Sequence, residues 1–267
     1  MFKYLRLIFT AGIRIVWDFI FYISRYARHP EKYPLEVRYA RIHKLVVYVI
    51  DCFRPDFKTK NIEYLKELEK ENKTFLAVCN HQSNMDPIIM LYYSEKPLSF
   101  IAKKETSKFP FVGKIIKALD GFFMDRSDLR QSLKVMIELS KRFEKGDLSY
   151  MIFPEGTRNK ELDKQILLPY KAGALKSAKK AGVKILPVCM YGNFRLLSTH
   201  CNYKRIPLEV TFFEPLEDDF VKNNDTEIIC DNVYQMSLEE VQKQQQEDKE
   251  FFEKGYQKIP LRKGILR

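Results

Sequence analysis

The chain has 267 residues, 45% of them hydrophobic, and 46 basic side chains against 35 acidic ones give it a formal charge of +11. Apolar content at that level with charges of mixed sign excludes global disorder, and the length fits one large domain or two small ones. Five cysteines, odd in number and never spaced C-x-x-C, speak against a disulfide framework and a zinc site and imply a reducing compartment; four scattered histidines and no Gly-rich phosphate loop leave no metal or nucleotide cofactor expected.

The charge is uneven. Residues 1–60 hold 12 basic groups and 5 acidic ones. A basic surface suits nucleic acid, an anionic membrane or an acidic carrier. Basic residues interleaved with exposed aromatics and a recognition helix are both missing, so nucleic acid is not an expected partner.

Phe2 to Arg25 is rich in Leu, Ile, Phe and Val, but no small-residue cleavage site follows it and Arg14 and Asp18 interrupt the run. Lys3, Arg6, Thr10, Arg14, Asp18 and Arg25 recur at steps that keep them on one helical arc, with Phe9, Ile13, Trp17, Ile20 and Phe21 on the remaining face. The pattern predicts an amphipathic helix lying in a membrane interface, or inserted to some depth without crossing, with Arg14 and Asp18 paired one turn apart. Pro30 and Pro34 break it, and a second helix is expected from about Leu35 to Phe53, giving an antiparallel hairpin. The other reading is that this hairpin packs on the rest of the protein. Asn61 to Asn72 reads as a solvated amphipathic linker.

From Thr74 onward, short apolar runs alternate with helical patterns, as in strands joined by crossover helices. Strands are expected near Phe75–Cys79, Leu98–Ala102, Phe122–Met124, Tyr150–Phe153, Lys184–Met190 and Leu208–Phe213. Helices are expected near Pro87–Ser94, Val112–Leu119, Leu129–Lys145 and Ala172–Ala181. A capping box from Ser237 to Glu240 opens a surface helix in the tail, and a small basic end follows at 261–267.

Asn80-His81-Gln82-Ser83-Asn84-Met85-Asp86-Pro87 sits between a predicted strand and a predicted helix, where α/β folds hold active sites. If the loop curls back, Asp86 accepts from one imidazole nitrogen of His81 and the other takes a proton from a substrate hydroxyl. The same residues also suit a helix N-cap followed by Pro at the first helical position. Phe153-Pro154-Glu155-Gly156-Thr157-Arg158 repeats the strand-then-turn arrangement, and the planar fork of Arg158 suits phosphate. Lys103 and Arg126 are further cations at strand ends. Each taken singly could be an ordinary surface ion pair, Arg126 with Asp125 or Asp128 for example.

Together, Asn80-His81-x-Ser83-x-x-Asp86, Gly121-Phe122-Phe123-Met124-Asp125-Arg126, Phe153-Pro154-Glu155-Gly156-Thr157-Arg158 and Ile185-Leu186-Pro187-Val188 resemble, in order, the four sequence blocks of glycerolipid acyltransferases. The similarity is to the 1-acylglycerol-3-phosphate acyltransferase type, although its third block often ends in Ser where this chain has Asn159. The resemblance implies His81 as general base and Asp86 as the group that orients it. It implies Lys103, Arg126 and Arg158 as ligands of the acceptor's phosphate, with Glu155, Gly156 and Thr157 shaping that site. It places Pro187 on the acyl-donor side and offers a K-x-G element, Lys171 and Gly173, without a role. The fold it implies is α/β, a central mixed sheet flanked by helices, carrying the N-terminal hairpin. The expected division is 1–60 for the hairpin, 61–235 for the catalytic domain and 236–267 for a helical tail. The implied reaction moves an acyl group from an acyl carrier protein or coenzyme A thioester to the sn-2 hydroxyl of lysophosphatidic acid, with no cofactor or metal, at anionic lipid on the cytoplasmic face of the membrane. Glycerol 3-phosphate, another lysophospholipid, or a non-catalytic lipid-binding role are the alternatives.

Overall fold

The computed structural model describes residues 8–198 and 205–254; Lys3, Arg6, His200, Cys201 and the basic end 261–267 lie outside them. A helical run over 8–28 (α1) contains π-helical turns at Ile8–Gly12 and Phe19–Ile23 and ends before the turn Pro30–Lys32. The second helix, α2, spans Leu35–Cys52. The two are antiparallel: Tyr48 donates to the Thr10 carbonyl near one end, and the Tyr26 and Tyr33 rings meet edge to face beside the turn. The predicted Arg14–Asp18 pair forms at 3.3 Å, and Arg41 of α2 joins it, so the fully buried Asp18 carboxylate is paired on both sides. The charged arc of α1 thus turns partly toward α2.

Seven strands form one sheet in the order β1-β7-β6-β2-β5-β3-β4: β1 Pro55–Lys60, β2 Phe75–Cys79, β3 Leu98–Lys103, β4 Phe122–Met124, β5 Ser149–Ile152, β6 Lys184–Tyr191 and β7 Ile206–Phe212. β6, β2, β5, β3 and β4 are mutually parallel; β7 runs against β6, with β1 parallel to β7, so the sheet is mixed. Strands buried on both faces read as continuous apolar runs, and β2 is such a strand. Phe75, Ala77 and Cys79 face one core layer, while Leu76 and Val78 face the other. The first layer includes Tyr39, Ile42, Leu45, Val46 and Ile50 of α2. The second is covered by α6 (Leu129–Lys145), α7 (Lys176–Ala181) and the long α9 (Thr226–Glu253). The remaining helices are α3 (Glu63–Lys70), α4 (Asp86–Tyr93), α5 (Pro110–Ala118) and α8 (Asp218–Asn223).

Four expectations need correction. The hairpin is not separate, because α2 forms part of the core and Arg38 pins it by a 2.7 Å bond to Asp120 and a second bond to the Ala118 carbonyl. Residues 55–60 lie in the sheet, so a boundary at 60/61 cuts between an edge strand and its following helix. The supposed linker is α3, which buries Leu65 and Leu68, and its Glu69 carboxylate accepts from Ser94 and from the Glu95 and Lys96 amides. The tail helix begins at Thr226, not at Ser237, whose side chain is fully buried mid-helix; a boundary at 235/236 therefore falls inside one continuous helix.

Candidate active site

Because β2, β3, β4, β5 and β6 are parallel, their C-terminal ends share one edge of the sheet, and the loops there carry His81, Lys103, Arg126, Glu155 and Asn193. This is the edge at which ligands bind in open α/β sheets.

The loop after β2 does curl back. His81 Nδ1 lies 2.8 Å from Asp86 Oδ2, and the same oxygen accepts from the backbone N–H groups of Gln82 and Ser83, each at 2.8 Å. Asp86 Oδ1 accepts from the Asn193 side-chain amide at 3.1 Å. Both Asp86 and Asn193 are fully buried. A carboxylate removed from water must have its lone pairs satisfied, and this one is held by four donors from two loops. An ionised carboxylate only accepts, so the proton between it and the ring belongs to Nδ1, which leaves the lone pair of His81 on Nε2. The imidazole stacks on the Phe153 ring with centroids 4.0 Å apart and keeps 17% of its side-chain surface open. Asp86 also begins α4 with Pro87 behind it, so the helix-start geometry and the His–Asp contact occur together.

β5 delivers the second loop. Glu155 accepts from the backbone N–H of His81 at 2.5 Å and from that of Leu168 at 3.1 Å. Burial pushes its carboxyl up to about 7, against the opposing pull of those two N–H groups and with the nearby Asp86 carboxylate adding to the rise. The loop is knitted to the first by Asn159, whose N–H donates to the His81 carbonyl at 2.7 Å. Its side chain bridges the Gln165 carbonyl and the Glu161 N–H, so the residue that departs from the family block serves as a buried clasp. Asn80 does the same for the end of β6, exchanging two hydrogen bonds with the Met190 backbone.

The predicted cations fare differently. Arg126 takes neither of its possible acidic neighbours: Asp125 pairs with Lys104 and Ser127, and Asp128 caps α6 through the Gln131 N–H. Its guanidinium instead reaches over Gly156. Arg158 is half-buried, two residues beyond that glycine, and Thr157 is exposed beside it. Lys103 stands 60% exposed at the end of β3 with Glu105 at 3.5 Å. Pro187 is buried inside β6, opposite Val78, at the point where the pairing with β7 changes register by one residue. A missing N–H is tolerated there. The structure adds Asn193 to the site and gives Phe153, the first residue of the third block, a contact with His81; both lie at strand ends, and their contacts to Asp86 and His81 span 107 and 72 residues of sequence.

Among the described residues no group of three or more His, Cys, Asp and Glu is placed to hold a metal ion, and no helix is long and apolar enough to cross a membrane. The buried Cys79 thiol beside the site is pushed well up by desolvation, which keeps it from acting as a thiolate nucleophile.

Residues 56–191 match the family described as Acyltransferase. The chain is 30% identical to the probable 1-acyl-sn-glycerol-3-phosphate acyltransferase of Mycoplasma pneumoniae over 79% of this chain and 80% of that one. It is 32% identical to the 1-acyl-sn-glycerol-3-phosphate acyltransferase of Haemophilus influenzae over 50% of this chain and 55% of that one. Among solved structures it resembles the 1-acyl-sn-glycerophosphate acyltransferase PlsC of Thermotoga maritima, with a TM-score of 0.70, 25% identity, and coverage of 91% of this chain and 95% of that one.

Proposed function

We propose, from the premise that this chain belongs to the acyltransferase family, that it acylates the free sn-2 hydroxyl of 1-acylglycerol 3-phosphate, taking the acyl group from an acyl carrier protein or coenzyme A thioester and yielding phosphatidic acid. The observation that carries the mechanism is the His81–Asp86 pair, with its lone pair on Nε2 and the neighbouring Cys79 thiol kept protonated by burial. His81 Nε2 takes the hydroxyl proton as the oxygen attacks the thioester carbonyl; the C–O bond forms, the C–S bond breaks, and the departing thiolate receives the proton back from the imidazolium. Asp86 holds the tautomer and stabilises the imidazolium. No acyl-enzyme is needed, since a thioester is already activated.

Arg126 and Arg158 hold the acceptor's phosphate in this reading, and Lys103 joins them by exchanging Glu105 for it. Glu155 tethers the His81 backbone and positions the loop. The membrane contact is the outer face of α1, where Phe9, Ile13, Val16, Trp17 and Ile20 are all more than half exposed, Ile13 to 82%. Such a face buries well in the boundary between headgroups and acyl chains, and it would seat the protein on the cytoplasmic leaflet, where its thioester donors are.

The test is a panel: the purified chain on vesicles with lysophosphatidate, glycerol 3-phosphate, lysophosphatidylcholine or 1-acylglycerol as acceptor, and with acyl carrier protein or coenzyme A thioesters as donor. Phosphatidate formed at the highest kcat/KM from lysophosphatidate supports the reading. Preference for another acceptor, or no transfer at all, overturns it.

A further inference from the structure

The loop that follows the Glu155-Gly156 turn returns to it at Lys171, whose backbone N–H donates to the Pro154 carbonyl at 3.1 Å. Gly156 has a φ of +77°, a conformation open to glycine. A Cβ placed on it would lie 3.2 Å from Lys171 Nζ and 3.3 Å from Arg126 Nη1. Two cations from loops 45 residues apart therefore meet over the bare backbone of one glycine.

Neither cation forms a salt bridge with a carboxylate among the described residues, and the acidic groups nearest Arg126 in sequence are committed to Lys104, Ser127 and the start of α6. The Glu105 carboxylate, itself 3.5 Å from Lys103, acts on Arg126 through space without forming an ion pair with it, so the two cations are only partly compensated within the protein and a bound anion would be stabilised between them. The turn beneath them leads directly into the loop that clasps His81, since Glu155 accepts the His81 N–H.

We propose that Lys171 is a phosphate ligand of the acceptor site, paired with Arg126 across Gly156, and that it sets the preference for a phosphorylated over a neutral acylglycerol. The inference rests on the acyltransfer reading above and goes beyond it, by giving a role to a residue whose motif alone assigned none. The ligand chemistry is a phosphate oxyanion cluster. A phosphomonoester dianion fits two adjacent cations, Lys171 acting as a mobile point charge and Arg126 as a planar fork. Gly156 matters because any side chain would occupy the space between the two cations and the turn.

The experiment compares wild type with Lys171→Met and Lys171→Arg, using the full chain in mixed micelles. Lys171 is exposed and its backbone bond is unaffected by either change, so both variants should fold. Loss of one charge-assisted contact should raise the KM for lysophosphatidate about tenfold, with kcat changed less than about twofold. The discrimination between lysophosphatidate and 1-acylglycerol should shrink by the same factor, and Lys171→Arg should recover part of it. An unchanged acceptor KM overturns the proposal. A rise confined to the KM of the thioester donor also overturns it, by assigning the cation to a donor phosphate. Calorimetric titration with glycerol 3-phosphate reads the site without turnover: weaker binding by Lys171→Met supports the anion site even if wild type fails to acylate lysophosphatidate, and equal binding sinks it even if wild type succeeds.

Discussion

The edge of the sheet that carries His81 and the outer face of α1 handle polarity in opposite ways. At the edge, the groups that hold His81 are buried and paired inside the chain: Asp86 has four donors, Glu155 two, and Asn80 and Asn159 are both clasped, while the Gln82 side-chain amide and Asn193 Oδ1 are buried without a partner among the described residues. On α1 the buried group is the doubly paired Asp18, while Ile13, Val16, Trp17 and Ile20 stand in the open. The His81–Asp86 pair is held by the protein itself before substrate arrives, whereas Arg126 and Lys171 beside it form no salt bridge among the described residues. The outer face of α1 leaves its apolar area exposed, and in the reading proposed above a membrane covers it. Damage to the first should therefore appear in kcat, and damage to the second in where the protein sits.

The sharpest way to break this division is at Asp86. Asp86→Asn keeps the shape but lets the amide present a donor to Nδ1, which favours the wrong tautomer, and kcat should fall about a thousandfold while vesicle binding stays the same. Loss of vesicle binding in that variant would show the two regions to be coupled. The reciprocal change is Ile13→Glu with Trp17→Glu. Removing two large apolar contacts at about 1.5 kcal/mol each should lower partition onto anionic vesicles roughly a hundredfold. Turnover of lysophosphatidate in detergent micelles should remain at the wild-type level, and its collapse there would place α1 in the catalytic machinery.

Smaller effects sharpen the description of the edge. Asn193→Ala removes one donor from Asp86, and kcat should drop about tenfold because the carboxylate then holds the imidazole less firmly. The same drop in an Asp86→Asn background would mean Asn193 only supports packing. Glu155 gives a stability readout. Its carboxyl holds its proton up to about 7 in the folded chain against 4.5 in the unfolded one, so the native state binds more protons across that window. Its contribution to stability is fully present below 4.5 and is lost as the pH rises through about 7. Glu155→Gln should flatten the dependence of Tm on pH between those values, and an unchanged slope would show that another group titrates there.

Much of this was legible in the sequence where the determining interactions are local. β2 and β4 fall where their apolar runs place them, α6 spans its predicted residues, and the H-x4-D spacing brings His81 to Asp86 because Asp86 also starts α4. β1 escaped notice because Pro55-Asp56-Phe57-Lys58-Thr59-Lys60 is short and charged, as an edge strand protected from further pairing tends to be. α9 was misplaced because Ser237 and Glu240 imitate a capping box, whereas Ser237 lies on the helix face buried against the sheet; the helix instead follows Asp225 and is anchored near its far end by Arg195 on Asp248. Asn193 carries no signal in the sequence and Lys171 stands out only through a K-x-G element without a role, for another reason. Their partners are set by which strand ends share an edge, and that order, β6-β2-β5-β3-β4, is a property of the fold and of no single stretch of chain.

The central claim is that His81 Nε2 removes the acceptor's proton while Asp86 and the stacked Phe153 hold the ring. It is tested most directly by the rate of phosphatidate formation from lysophosphatidate and an acyl thioester by His81→Ala, with the circular dichroism spectrum, Tm and vesicle binding measured on the same preparation. A loss of at least about a thousandfold in kcat with those three properties intact is expected. Turnover near the wild-type rate in a folded, membrane-bound His81→Ala protein would contradict it.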